Sequence, residues 1–475
     1  MKRFRWLLVL LALLGLLAAS CGRSDDNEGS SDTTAAPSGG DDECEGETPE
    51  ATEVGVTADK ITVVRYNAQA DAAVDSILST QGLASTDPQE QQFENAIEQF
   101  LNKYYEFYGR KIDIVTFNGS CDLLPPDYSC LRQDMRTLVK ETKPFAVFWG
   151  TPLASAAFDE LSRLQVVNWG GWHFDAAFSA QRAPFHYDVL MDGSRVATML
   201  AEYWCKRLAP YPVKYSQDPL MNGKPRKLGI ITPDDEANQR VLAEFRQKVS
   251  GCNGGVVASY SYQQDIDRAQ EQRKAGIAAL KSGGATVVMC ICDSIAPYFM
   301  IITEDEEQYY PENIVPGTGG MDFDLVGRLY SKGRGWQSAI GLSSLGVLTP
   351  YTANDAAKAW QAGGGSGAPP YKLAFQNYAY YEAIAGIIQM AGPNLNPGTF
   401  QQAALKFGRP AGGNGVYQSY TFGQNDRSLI DDMMEVYWSS TTRSAFDNEL
   451  GAYVPLNGAK RFGPGQQPSA PANRP

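Results

Sequence analysis

FAVFWGTPLASAAFDELSRLQVVNWGGWHF, residues Phe145 to Phe174, carries the pattern from which the rest of the chain is read. An apolar run from Phe145 to Trp149 stops at Gly150, and Ala156, Ala157, Leu161 and Leu164 then recur at helical spacing. A second apolar pair, Val166 and Val167, runs into Asn168, Trp169, Gly170 and Gly171. Short apolar runs alternating with a helical pattern indicate a parallel sheet whose strands are buried on both faces. Such sheets bind ligands outside the carboxyl ends of their strands. Here one end is Gly150-Thr151-Pro152-Leu153-Ala154-Ser155, which offers backbone N–H groups and hydroxyls at a helix N-terminus. The other is Asn168-Trp169-Gly170-Gly171-Trp172, with aromatic faces beside glycines that admit a ligand to the backbone. Together they predict a binding cleft that uses Thr151, Ala154, Ser155, Trp169, Gly170, Gly171 and Trp172. Helix capping is the alternative for Thr151 and Ser155, and core packing the alternative for the tryptophans.

Toward the amino end the alternation continues. Ile61, Val63 and Val64 predict a strand with Tyr66 and Asn67 at its carboxyl end, beside the cleft. Phe93, Ala96, Ile97, Phe100, Leu101 and Tyr104 predict an amphipathic helix, Lys111 to Phe117 a strand, and Leu131 to Lys140 a helix. Toward the carboxyl end, Phe185 to Leu190 reads as extended and Asp192-Gly193-Ser194 as a break into a helix. After a loop from Ala209 to Lys227 a second series begins, with strands expected at 228–231, 256–260, 286–292 and 314–315 and helices between them. Beyond Tyr330 the expectation is an extended stretch at 338–347, helices near 354–361, 378–390 and 399–406, and late strands at 417–422 and 433–438. The helix at 378–390 is apolar most of the way round and too short for a membrane span, so it is expected to be buried. The Pro/Gly-rich residues 461–475 read as a disordered tail.

Lys2, Arg3 and Arg5 precede an apolar stretch from Trp6 to Ala19, which reads as a secretory signal over residues 1–20. Leu17-Ala18-Ala19-Ser20-Cys21 resembles a bacterial lipobox, with Ala18 where leucine is usual, and makes Cys21 the expected lipidation site and membrane anchor. Cleavage without lipidation, or an uncleaved anchor, is the alternative. Residues 21–55 hold too few large apolar side chains to offset their ordering entropy, and read as a tether. A formal net charge of −13 argues against a nucleic-acid partner.

The chain has eight cysteines, which outside the cytoplasm are candidates for disulfides. Cys121 and Cys130 flank a Pro-rich loop, and Cys205 and Cys252 each end a predicted helix, so these two pairings are expected. Cys290 and Cys292 point to one face of a predicted strand, which sets them against bridging each other and reads them as buried thiols. The partner of Cys44 is left open. The only histidines are His173 and His186, and neither a metal site nor a cofactor is expected. Gly317-Thr318-Gly319-Gly320 lacks the Gly-Lys-Ser/Thr of a phosphate cradle, and Glu304-Asp305-Glu306-Glu307 reads as a solvated run.

Several segments in order are similar to the type I periplasmic solute-binding proteins, close to their leucine/isoleucine/valine-binding branch. GVTADKITVV resembles the opening strand, YGRKIDIVTFN the second strand, and FAVFWGTPLASAAFDELSRLQVVNW the ligand-loop segment. KLGIITPDDEANQRVLAEFRQKV and AALKSGGATVVMCICDS resemble units of the second lobe, and LAFQNYAYYEAIAGIIQMAGPNL the helix that returns to the first. The resemblance implies an α/β protein of two Rossmann-like lobes joined by three hinge crossovers. Lobe one would hold 56–190 and 345–410, and lobe two 191–344 and 411–460. It further implies a monomeric bacterial lipoprotein outside the cell membrane that traps a small polar solute, an amino acid, amide or related compound, and delivers it to an ABC permease.

By the same resemblance, the loops Thr151–Ser155 and Asn168–Trp172 grip a ligand carboxylate and Asp192 helps to hold an ammonium. Asn238 and Thr318 stand where the family's amino-acid binders carry an aromatic and an acid, and Asp234, Asp235, Glu236 and Asp293 are neighbouring substitutes. Two alternatives remain: a ligand sensor that partners a membrane receptor, and a secreted enzyme. Against the enzyme, no His-Glu-x-x-His, Gly-x-Ser-x-Gly or nucleophile with a histidine partner occurs in the sequence.

Overall fold

The computed structural model describes residues 50–69, 71–149, 155–171, 174–253, 255–409, 419–423 and 426–475. The expected signal, Cys21, Cys44 and most of the tether lie outside the described residues, as do Thr151, Ala154 and Trp172 of the expected cleft.

KITVVRYN forms β1 (Lys60–Asn67), buried from Ile61 to Tyr66. Unbroken burial of this kind means that both faces of the strand are covered, as in a parallel sheet between helices. β2 (Lys111–Asn118), β3 (Ala146–Trp149), β4 (Val167–Gly171) and β5 (His186–Asp188) complete an all-parallel sheet in the order β2-β1-β3-β4-β5. The connections carry α1 (Ala72–Ser79), α2 (Asp87–Tyr104), α3 (Tyr128–Thr142), α4 (Ser155–Arg163) and α5 (Ala176–Gln181). In α2, Phe93, Ala96, Ile97 and Leu101 bury one stripe, and Glu94 on that face receives Arg65 Nε at 3.0 Å.

α6 (Gly193–Tyr203) leads through a π-helical turn, Trp204–Leu208, to the second sheet. Its strands β6 (Leu228–Pro233), β7 (Val256–Tyr262), β8 (Val287–Cys290), β9 (Glu312–Pro316) and β10 (Ile340–Ser343) are parallel. Between them lie α7 (Glu236–Val249), α8 (Ala269–Ser282), α9 (Ala296–Glu306) and α10 (Asp324–Tyr330). The chain then returns to the first sheet with α11 (Asp355–Ala362), α12 (Ala374–Ala391) and α13 (Pro397–Ala404). There the Tyr381 ring lies 4.6 Å from Phe148, and Phe400 lies 5.7 Å from Phe145. After a small pair, β11 (Gly408–Arg409) with β12 (Tyr420–Thr421), it crosses again to add β13 (Met433–Arg443), β14 (Leu450–Pro455) and β15 (Arg461–Phe462). The second sheet has the order β14-β13-β10-β9-β8-β6-β7, with β15 beside β13. Counting the passage through α6, the chain crosses between the two α/β layers three times. Among the described residues no helix is long and apolar enough to cross a membrane.

The structure corrects three expectations. Cys290 and Cys292 are joined in a disulfide with Cα atoms 5.2 Å apart. β8 ends at Cys290, so Cys292 has left the pleat and strand alternation does not govern it. The pairs Cys121–Cys130 and Cys205–Cys252 are formed as expected. Glu304 is fully buried rather than solvated, because it continues the inward stripe of Pro297, Met300 and Ile301 on α9. It accepts from Asn313 Nδ2 at 2.9 Å, and burial pushes its carboxyl well above the ordinary range. The tail is packed: Ala472 N–H donates to Arg207 O at 3.1 Å, and Arg474 N–H to the Tyr215 hydroxyl at 2.9 Å.

Candidate functional site

The carboxyl ends of the strands in the two sheets approach each other, and side chains from each reach the other. Asp175 caps α5 just beyond β4, and Arg240 on α7 donates from Nε to its Oδ2 at 2.7 Å. Gln376 Nε2 on α12 donates to Gly319 O, beyond β9, at 3.2 Å. Tyr128, which opens α3, has its phenol raised by burial and then by the negative charges of Asp235 and Asp234, which stand just beyond β6. The loop closed by Cys121–Cys130 carries Leu124 into the wall of a recess otherwise built from the second layer.

That recess has about 60 Å³ of room and lies where β6, β7 and β8 end against the first turns of α8 and α9. Tyr260 and Tyr262 both reach it because residues two apart on a strand share a face. Phe299 and Met300 line it from α9, and Gln272 and Gly276 from α8. Asp265 and Asp293 supply the acids, Asp293 from just beyond β8. Asp293 Oδ1 accepts from the backbone N–H groups of Ile295 and Ala296 at 2.8 and 2.9 Å, and its Oδ2 accepts from the Tyr262 hydroxyl. Burial first, then the Asp293 charge, holds the Tyr262 phenol well above its ordinary value, so it stays a donor.

Other expected site residues are distributed differently. Trp169 is fully buried, donates from Nε1 to Tyr380 O at 3.0 Å and packs on Tyr187, Phe400 and Phe422. It is therefore a core aromatic, with no face toward the cleft. Tyr66 is also interior: its hydroxyl donates to Asp134 Oδ2 at 2.7 Å and its ring lies 4.7 Å from Trp149. Gly170 and Gly171 serve close packing. A Cβ on Gly170 would meet the Trp149 side chain at 2.7 Å, and one on Gly171 would meet Asp188 Oδ1 at 2.1 Å and His186 at 2.7 Å. His186 itself lies among Phe158, Phe174 and Phe178, and burial holds it neutral with a pKa near 3.

Asp192 caps α6, accepting from Arg195 N at 2.8 Å and from Ser428 Oγ at 3.0 Å, and burial raises its carboxyl. Asn238 lies in the first turn of α7 with Nδ2 on Asp235 Oδ2 at 2.6 Å. Thr318 is buried beyond β9, Ser155 opens α4 half-buried, and Asn67 bridges Asp87 and Asn118 at 3.1 and 3.0 Å. Of the second-layer candidates, Asp293 alone lines the recess. Leu124, Tyr260, Tyr262 and Phe299 escaped sequence reading, although the Tyr-Ser-Tyr alternation at 260–262 carried a signal for two of them. Among the described residues Cys121, Cys130 and Asp134 lie close enough to share a metal ion, but the disulfide leaves neither sulfur as a thiolate.

Two layers whose sheets meet at their carboxyl edges, crossed three times by the chain, define the architecture. Solved structures share it. The solute-binding protein of an ABC transporter from R. palustris, in complex with 4-hydroxybenzoate, superposes with a TM-score of 0.58 at 12% identity, over 86% of this chain and 98% of that one. The fold is that of the type I periplasmic binding proteins. A leucine-, isoleucine-, valine-, threonine- and alanine-binding protein from Brucella ovis, in a closed conformation, matches with a TM-score of 0.57 at 10% identity, covering 86% and 97%. An ABC-transporter substrate-binding protein from Aeropyrum pernix gives 0.58 at 10%, again over 86% and 97%. No protein-family model and no curated protein sequence matches the chain. At these identities the likeness lies in the backbone.

Proposed function

We propose that the chain is a non-enzymatic solute-binding protein that captures a small molecule between the carboxyl edges of its two sheets. The observation that carries this is the pair of facing edges, bridged by Arg240 to Asp175 and by Leu124 at the recess, around a space where ligands of parallel sheets bind. The proteins of the same fold described above, with bound 4-hydroxybenzoate or named for amino acids, support a small organic ligand. In this reading residues 56–190 with 345–410 form one lobe and 191–344 with 411–460 the other. On the same reading Asn67 and Ser155, at the strand ends of the first lobe, belong to the ligand site, as do Thr151, Ala154 and Trp172, which lie outside the described residues. Closure follows from ligand contacts to both lobes, since only a ligand that binds the closed state better shifts the population toward it. Lipidation at Cys21 anchors the monomer outside the cell membrane, and the closed form delivers its solute to an ABC permease.

Isothermal titration against amino acids, aromatic acids, phenols, amines and sugars tests the reading. One chemical class is expected to bind at one site per chain and to raise the melting temperature. Turnover of any of these compounds, or no binding by any class, overturns it.

A further inference from the structure

We infer that the ligand is an aromatic compound carrying a phenol or amine, with its ring between Tyr260 and Phe299 and its donor on Asp293; this rests on the solute-binding reading above. The first ground is the wall chemistry. Ile231, Tyr260, Ile266, Phe299 and Met300 give an apolar enclosure, and aromatic rings favour one another in offset or edge-on contact. An amino acid of the leucine type presents two charged groups that such walls cannot satisfy.

The second ground is the balance of donors and acceptors. Arg273 is the cation of the lining, and two of its five N–H donors go to α9, with NH1 on Thr303 Oγ1 at 2.9 Å and NH2 on Glu306 at 3.0 Å. Gln272 is tied to the backbone of Gln263 through both amide atoms, at 2.6 and 3.0 Å. Asp293 differs: a carboxylate has about four acceptor positions, and Ile295, Ala296 and Tyr262 use three. A ligand group that reaches Asp293 therefore meets an acceptor, and must itself donate. Tyr262 already shows that a phenol on an apolar ring fits this carboxylate.

The third ground is space. Leu124 reaches the recess from the opposite layer and is half-buried. Deleting a leucine side chain from a core leaves on the order of 150 Å³, enough to take up benzene. Withdrawal of Leu124 as the layers separate therefore adds room for a ring to the 60 Å³ already free. When the layers close on a bound ring, Leu124 packs beside it rather than in the space it fills without ligand.

Titration of the full chain with tyramine, benzoate and leucine tests the assignment. Tyramine is expected to bind at least tenfold more tightly than benzoate or leucine. Phe299→Ala and Asp293→Asn are each expected to weaken tyramine at least tenfold; asparagine at 293 keeps an acceptor to cap α9. Leu124→Trp, on the surface loop, is expected to do the same by filling the recess, which guards against a Phe299 variant that fails to fold. Tighter binding of leucine or benzoate than of tyramine overturns the aromatic-donor class and leaves the solute-binding reading standing. Tyramine binding unchanged in all three variants overturns the recess as the site. Failure of every compound, in this set and in the wider panel, overturns the solute-binding reading itself.

Discussion

Arg240 and Asp175 join the two layers through one hydrogen-bonded ion pair of 2.7 Å, in which the aspartate is buried and the arginine is 39% exposed. Asp175 also accepts from Phe178 N–H at 3.0 Å, so its charge stays partly satisfied without the arginine. Arg240→Ala is expected to weaken closure by about 1 kcal/mol, the upper range for a partly exposed pair. Small-angle scattering of the ligand-free protein should show a larger radius of gyration, and ligand affinity should fall about fivefold. Unchanged values for both would mean that the pair does not hold the layers together.

Trp169→Ala removes a fully buried indole and its hydrogen bond to Tyr380 O. The expected loss of stability is about 3–5 kcal/mol, as for other buried aromatic truncations. Urea unfolding measures it. A stability within 1 kcal/mol of the parent, with ligand affinity lost, would return this residue to the cleft.

The acidic groups give the stability curve two limbs. Burial raises Asp324 and Asp431 from 3.8 to about 6. Between roughly pH 4 and 6 the unfolded chain has lost these protons while the folded chain keeps them, so stability falls as pH rises through that window, by about 3 kcal/mol per group. Glu160 is held near 2 by Arg163 and Arg136, and Asp447 near 2 because Arg328 and Lys372 outweigh its burial. Their contribution is present above about pH 4.5 and disappears as pH falls toward 2. The urea midpoint is therefore expected to be higher at pH 4.5 than at pH 7 and to drop below pH 3. A monotonic rise from pH 3 to pH 7 would contradict these assignments.

The disulfides close loops of very different length: Cys205–Cys252 spans a separation of 47 residues, Cys121–Cys130 of 9, and Cys290–Cys292 of 2. On the chain-entropy account they restrict the unfolded chain by about 4, 3 and 1.5 kcal/mol respectively. Replacing both cysteines of a pair by alanine is expected to follow that order in thermal unfolding. Under graded reductant, mass spectrometry of alkylated thiols should find Cys290 and Cys292 labelled first. Earliest labelling of Cys205 and Cys252 would reverse the ranking.

Much of the layer order was legible because β3 is an unbroken apolar run, β1 and β6 carry clusters of Ile, Val and Leu, and α2 has a clear three-to-four spacing. α1 went unread because it buries no side chain and so leaves no stripe, though Asp71 caps it. β14 was missed because it borders the sheet and is buried only from Gly451 to Tyr453. In the site, position at a strand's carboxyl end was legible and direction was not. Trp169 and Tyr66 end on interior faces, where Tyr380 O and Asp134 receive them, whereas Tyr260 and Tyr262 end on the face that opens toward the other layer. The disulfide between Cys290 and Cys292 depended on where β8 stops, and a strand's last residue is the least certain thing a sequence pattern gives.

Gly170 and Gly171 touch Trp149, His186 and Asp188 where a side chain would stand. In a library of all single replacements these two positions should be among the least tolerant in the chain, while Leu124 and Phe299 accept change with the protein still abundant. A map of tolerance alone would then draw the eye to the packed glycines of β4 and away from the recess. Scoring each variant twice, once for abundance and once for retention on an immobilised ligand, separates the two demands. The glycines should fail both scores, and the residues that recognise the ligand should fail only the second.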